Sequence, residues 1–435
     1  MQILERLFRL KQHKSSFRIE LIAGATTFLT MAYIAFVNPH ILGVTGMDKS
    51  ALIGVTCLVT AVSTIAVGVL TNTPIAMAPG MGLNAFFAYS LVLAGIVNWE
   101  TALGIVFLSG LLFLILTLLG VRQAIVRSIP HSLVISISVG LGIFIAFIGL
   151  VNLGLVVKNE ATLVGLGSID SKVLIGLFGL LLMIVLHIKK IKGSLFIGIL
   201  SATALALITG KVKLPASPIA LNIDISPIVF NLDILGALRW SFVSAIFSLM
   251  FIDLFDSLGT LVAVSYEANL VEKDGNIPKL GRLLSIDAAA TMFGALMGTS
   301  TTTSYLESAA GIEQGGRTGL TSIVIGLIFL TGLFFIPIIG IVPPYATAPA
   351  LIMVGLLMMR RIVDIDFKDM EIAIPCFLVI ILVSLTYSIS TGLAFGFVFY
   401  VLIKIMLGKY REIAPVLWII FALSVLHLLL HTLEI

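Results

Sequence analysis

Apolar residues gather along this chain into stretches of roughly 15 to 25 residues, against about 20 needed to cross a bilayer as helix, with short polar joints between them. The pattern predicts helical segments at 20-44, 49-70, 74-93, 101-120, 131-151, 172-188, 194-209, 240-266, 283-298, 300-315, 317-338, 345-359, 370-388 and 390-408. These fourteen segments describe an all-α polytopic membrane protein with both ends of the array on one side. A last apolar run, 414-432, fits either a fifteenth span or a helix lying along the interface, and the even count favours the second.

Two segments are too irregular for ordinary spanning helices. The third opens with Thr71-Asn72-Thr73-Pro74-Ile75-Ala76-Met77-Ala78-Pro79-Gly80-Met81-Gly82, and helical character resumes at Leu83-Asn84-Ala85-Phe86-Phe87. The tenth opens with Thr299-Ser300-Thr301-Thr302-Thr303-Ser304-Tyr305, rich in hydroxyls and β-branches, and gives way to Leu306-Glu307-Ser308-Ala309-Ala310-Gly311. Each reads as a short extended piece followed by a half-helix. Such backbone is tolerated at membrane depth only where protein or a wet cavity satisfies its polar groups. The breaks are third in each set of seven, which implies a 7+7 repeat whose second half inserts upside down; paired breaks of that kind point to a site at the midplane.

Composition and charge agree with this reading. The 435 residues are 59% hydrophobic and 11% charged, more apolar surface than a soluble domain hides in its own core. The net charge of +4 does not argue for nucleic acid, because the basic residues sit in the joints and report topology. With the N-terminus (1-19) inside, the inner side collects Arg6, Arg9, Lys11, Lys14 and Arg18, then Arg122, Arg127, Lys189, Lys190, Lys192, Lys273, Lys279, Arg282, Arg317, Arg360, Arg361, Lys368, Lys404, Lys409 and Arg411. That makes 20 of the 26 basic residues. Cys57 and Cys376 fall in apolar runs and read as buried thiols. His40, His131 and His187 stand at segment ends without metal-ligand spacing, and no resident cofactor or metal is expected. Neither a phosphate-binding Gly-rich loop nor a hydrolase elbow appears, which argues against a primary pump or an enzyme.

The chemistry concentrates in the second half. Asp253, Asp256, Asp287 and Glu307 lie in apolar stretches with no Lys or Arg at the same depth, and ionisable groups so placed usually mark a solute or ion pathway. Asp253 and Asp256 are three apart and share a helix face, an arrangement suited to proton uptake because neighbouring carboxylates repel. Ser304-x-x-Glu307 is also a capping-box pattern for the half-helix that follows. Asp287 falls near the start of its segment, where the helix dipole or a loop tether could account for it. Asn84 has an amide able both to donate and to accept, or it N-caps its half-helix. Thr27, Thr30 and Tyr33 in the first segment are plausible cavity lining, while Phe86, Phe87 and Tyr89 in the third could stack on a planar ring or, as aromatics in membrane helices more often do, simply pack.

The runs Ala78-Pro79-Gly80-Met81-Gly82-Leu83-Asn84-Ala85-Phe86-Phe87, Gly24-Ala25-Thr26-Thr27-Phe28-Leu29-Thr30-Met31-Ala32-Tyr33 and Thr299 to Gly311 resemble the AzgA-like purine permeases, the hypoxanthine, guanine and adenine branch of the nucleobase:cation symporter-2 proteins. The resemblance covers essentially the whole chain. It implies the uracil-permease fold, with a core domain at 20-120 and 240-338, a gate domain at 131-209 and 345-408, and often a homodimer in the cell membrane. It also implies a nucleobase held by an acid from segment 8, matched by Asp256 in Asp256-Ser257-Leu258-Gly259-Thr260, and an acid from segment 10, matched by Glu307. Asn84 matches the Asn of segment 3, with Gly82 and Thr27 nearby. Relatives in the wider superfamily carry a titratable His or Asp where this chain has Thr260, so Asp253 stands as the replacement proton carrier, with Asp256 as the other candidate. The expected activity is uptake of a purine nucleobase with a proton, sodium being the other possible ion. An anion exchanger of the same fold and a passive nucleobase channel are the alternatives.

Overall fold

N-cap residues start the helices where the sequence places polar residues before apolar runs. Asp48, Asn98, Asp170, Thr318, Asp369 and Ser388 each accept a backbone N–H of the first turn, a contact typically contributing about 1 kcal/mol to a helix. The computed structural model describes every residue except 1, 121–128, 221–222, 269–276, 278 and 434–435, and only the backbone of 2–4 and 430–433. Arg122, Arg127 and Lys273, three of the basic residues assigned to the inner side, lie outside the described residues.

With span n denoting whatever the nth predicted segment forms, span 1 is two helices, Phe17–Met31 and Ile34–Gly43, meeting at Ala32 and Tyr33. The other long helices of the first half are Lys49–Thr71, Trp99–Leu118, His131–Leu153, Ser171–Ile188 and Ser194–Ile208. The second half continues with Val243–Glu267, Leu280–Met297, Gly319–Gly332, Pro344–Met359, Met370–Thr386 and Ile389–Met406. Among the described residues, 10 helices are long and apolar enough to cross a membrane. Spans 3, 7 and 13 are shorter apolar helices. The tenth segment is the exception: it holds only a strand and the helix Ser308–Glu313.

Four strands form two small sheets: β1 Met77–Pro79, β2 Val156–Asn159, β3 Leu163–Leu166 and β4 Thr302–Ser304. The extended pieces predicted in the two broken segments pair with each other. β1 runs antiparallel to β4, with Met77 opposite Ser304, Ala78 opposite Thr303 and Pro79 opposite Thr302. Side chains from neighbouring helices satisfy further groups of this buried backbone. Thr64 Oγ1 bonds both Met77 N and Met77 O, Ser322 Oγ donates to Thr73 O and Ile75 O, and Thr291 Oγ1 donates to Thr302 O. The requirement that buried backbone be paired is thus met by hydroxyls on spans 2, 9 and 11. β2 and β3 form an exposed hairpin between spans 5 and 6, in a joint to which the hydrophobic pattern assigned no element.

Spans 1, 2, 4, 8, 9 and 11 pack mainly on one another and around the two strands, while spans 5, 6, 7, 12, 13 and 14 pack mainly among themselves. The C-terminal apolar run is the helix Pro415–Leu433, lying against spans 14 and 8. A hydrogen bond of 2.7 Å between Ser244 Oγ and His427 Nδ1 fastens it to the first turns of span 8.

Candidate functional site

The ladder of β1 and β4 sets two half-helices end to end. Gly80 N–H donates to Thr301 O and Tyr305 N–H donates to Ala76 O on either side of the three paired residues. Immediately beyond lie the helix Met81–Ala85, continued by a wider π-turn stretch Phe86–Leu93, and the helix Ser308–Glu313. Tyr305 locks the junction, its hydroxyl donating to Pro79 O at 2.6 Å.

The acids lie on elements that meet at this junction. Glu307 is the N-terminal flanking residue of the helix Ser308–Glu313 and is partly exposed. Its Oε1 accepts a hydrogen bond of 2.7 Å from the Tyr33 hydroxyl. Asp256 on span 8 is also partly exposed, and its helix packs against the helix Ser308–Glu313 that Glu307 opens. Two acids on separate elements thus face accessible space beside the break.

Asp253, one turn earlier on span 8, is turned inward and 1% exposed. Its Oδ2 lies 3.0 Å from Thr291 Oγ1, whose single proton is shared between this carboxylate and Thr302 O, and its Oδ1 is buried with no hydrogen-bond partner. Asp287 is fully buried, accepting from Ser257 Oγ at 2.5 Å and Ser304 Oγ at 3.1 Å. Ser257 also bonds Thr303 Oγ1 at 2.7 Å, so Asp287 ties spans 8 and 9 to β4.

Two expectations are corrected here. The capping box does not form, because Glu307 makes no side-chain cap bond and Ser304 donates its hydroxyl to Asp287 instead. Nor does Asp287 stand near a helix start: its helix begins at Leu280, two turns earlier, so the hydroxyls and not a dipole or loop hold it.

The first-half residues take supporting positions. Asn84 does not cap its half-helix, for Gly80 is the capping residue and Asn84 N–H already donates to Gly80 O. Its side chain is buried, donating through Nδ2 to Asn38 Oδ1 at 2.6 Å while its own Oδ1 lacks a partner. Asn38 in turn donates to Thr56 Oγ1 and Thr299 Oγ1, linking spans 1, 2 and 3 to the approach of β4. Gly82 is packed against span 5, where a Cβ would come within 2.0 Å of Leu141 Cδ2. Thr27 is buried against the second half-helix, its Oγ1 2.3 Å from where a Cβ on Gly311 would sit. Both positions are close packing contacts, and Thr27 Oγ1 is buried without a hydrogen-bond partner.

One cation approaches more closely than the sequence pattern suggested. Arg361, in the turn Arg360–Asp364 after span 12, brings Nη1 to 3.7 Å from the place a side chain on Gly259 would occupy, one turn beyond Asp256. Tyr33 and Asn38 are the partners that sequence reasoning weighed too lightly or passed over. Their only signals were one hydroxyl among several and a single amide within the first apolar run.

A model of the Permease family matches residues 18–395. The adenine permease AdeQ of Escherichia coli is 41% identical over 98% of this chain and 96% of its own length. The guanine/hypoxanthine permease PbuG of Bacillus subtilis is 38% identical over 98% of this chain and 99% of its own. Among solved structures, the transmembrane domain of the cyanobacterial bicarbonate transporter BicA superimposes with a TM-score of 0.64 at 15% identity, covering 87% of this chain and 96% of that one. At that identity the likeness is one of fold.

Proposed function

This chain belongs to the Permease family, as a multi-pass membrane transporter of the AzgA-like nucleobase branch, and from that membership we propose that it imports hypoxanthine, guanine or adenine with a proton. The observation that carries the proposal is the pair of partly exposed carboxylates, Glu307 and Asp256, at the paired break of spans 3 and 10. Carboxylates accept N–H donors strongly, and a purine ring offers such donors in its plane. In this reading Glu307 and Asp256 accept ring N–H groups. Asn84, braced by Asn38, holds the opposing half-helix in place, and Gly82 lets that half-helix pack tightly on span 5.

Asp253 carries the coupled proton. It is buried beside Asp256 with one oxygen unpartnered, and an unpaired charge there would be costly without a cation. The spans packed around the strands act as the core domain and the remaining spans as the gate domain against which it moves to alternate access. The skew of basic residues supports a cytoplasmic N-terminus in the cell membrane.

The test is uptake of radiolabelled hypoxanthine, guanine and adenine into proteoliposomes with and without an inward proton gradient. Uptake of at least one, accelerated by the gradient, is the expected result. Absence of uptake for all three overturns the purine reading, whereas uptake indifferent to protons but driven by sodium overturns only the choice of ion.

A further inference from the structure

We infer that Tyr33 is a positioning residue for substrate recognition: its buried hydroxyl holds Glu307 from the protein side so that the carboxylate presents a fixed acceptor on its exposed side. The inference rests on the purine-site reading of Glu307 and adds a residue that reading does not need.

Four observations place Tyr33 in this role. Tyr33 is 3% exposed and Glu307 is partly exposed, so the 2.7 Å bond reaches the carboxylate from behind. Among the described residues no other side chain donates to Glu307. Tyr33 stands where span 1 is interrupted between Met31 and Ile34, and its hydroxyl reaches across to the second broken span. Finally, the same two elements touch again at Gly311, whose missing side chain lets Ala23 O and Thr27 Oγ1 approach to 2.5 and 2.3 Å of the Cβ position.

Span 1 and the second half-helix are therefore fixed to each other at both ends of their contact. A glutamate with three free torsions must lose rotamer freedom on binding a ligand, and a partner that fixes it beforehand removes that cost from the binding step. The opposite role, a hydroxyl that competes with substrate for Glu307, requires Tyr33 to release its acceptor while buried, which leaves an unpaired polar group inside the protein.

The experiment measures equilibrium binding of hypoxanthine, guanine and adenine to purified wild-type and Tyr33→Phe protein, together with the set of ring-N-methylated hypoxanthines in competition. Tyr33→Phe is expected to weaken the parent purines roughly 10-fold, the loss of one hydrogen bond to a charged group. For the methyl isomer that blocks the N–H meant for Glu307, the two proteins are expected to bind equally. Unchanged or tighter binding of the parent purines by Tyr33→Phe overturns the inference, as does an equal loss for the parent and every isomer, which marks a purely structural residue. Fluorotyrosines placed at position 33 keep the shape and alter donor strength. Affinity that tracks donor strength supports the inference even if Tyr33→Phe fails to fold, and a flat response overturns it. If wild-type protein binds none of the three purines, the purine reading falls first and this inference with it.

Discussion

Ser304 donates its hydroxyl to Asp287 at 3.1 Å, so the last residue of β4 is anchored to the middle of span 9 and not to the half-helix it precedes. Ser257 holds the other carboxylate oxygen from span 8. Removing the acceptor strands the buried Ser304 hydroxyl and leaves Ser257 with Thr303 alone, and a buried hydroxyl without a partner costs about 1–3 kcal/mol. Asp287→Ala is therefore expected to lower the melting temperature of detergent-purified protein by several degrees, with Asp287→Asn intermediate because it keeps an acceptor oxygen. A melting curve for Asp287→Ala that overlays the wild type would refute this anchoring role.

The two aspartates of span 8 are expected to separate in function because they separate in environment. Asp256→Asn and Glu307→Gln each lose a charged acceptor on the accessible side and are expected to weaken purine binding by at least 10-fold. Asp253→Asn is expected to leave affinity within roughly 3-fold while flattening the dependence of uptake on external pH, since its buried oxygen faces no accessible space. Parallel measurements of binding and of uptake across pH decide the matter; a proton-independent Asp256→Asn with intact binding exchanges the two roles.

Much of this architecture was legible from the hydrophobic pattern, because each span announces itself by length and each break by Pro, Gly or a run of threonines. The mutual pairing of β1 and β4 was not, since nothing local in Met77–Pro79 specifies a partner in the other half of the chain. The capping-box reading of Ser304 failed for a related reason: the pattern is local, and the competing acceptor, Asp287, comes from another helix. The same holds for Glu307, which was readable as an acid at membrane depth but whose partner Tyr33 was one hydroxyl among several in span 1. Glu20 escaped notice altogether, lying at the edge of the first apolar run where an acid looks like a solvated boundary residue.

Glu20 is fully buried and gathers the start of span 11. Its carboxylate accepts from the backbone N–H groups of Arg317, Thr318 and Thr321 and from Thr321 Oγ1, at 3.1, 3.3, 3.2 and 2.5 Å. This is a helix cap supplied from span 1, combining hydrogen bonds with the favourable placement of an anion at a helix N-terminus. Glu20→Ala is expected to cost roughly 3 kcal/mol, read as a lower melting temperature and a smaller monodisperse fraction, with Glu20→Gln recovering part of the loss. Wild-type stability in Glu20→Ala would show that water replaces the carboxylate.

Gly311 links packing to the site, and its substitution tests whether span 1 and the second half-helix act as one body. A Cβ at Gly311 would lie 2.3 Å from Thr27 Oγ1 and 2.5 Å from Ala23 O, too close to accept without moving backbone. Gly311→Ala therefore has to push the helix Ser308–Glu313 away from span 1, drawing Glu307 off the Tyr33 hydroxyl. Overpacking of this kind costs about 1–3 kcal/mol, and purine affinity is expected to fall together with stability. Gly281 supplies the control: it is helical, nothing lies within 4 Å of its Cβ position, and alanine there is expected to be neutral or stabilising by up to about 1 kcal/mol. Thermal melts and purine binding measured on both variants separate the outcomes. A Gly311→Ala protein that melts lower but binds purine normally would mean that the half-helix moves without carrying Glu307, and the contact would then be structural alone.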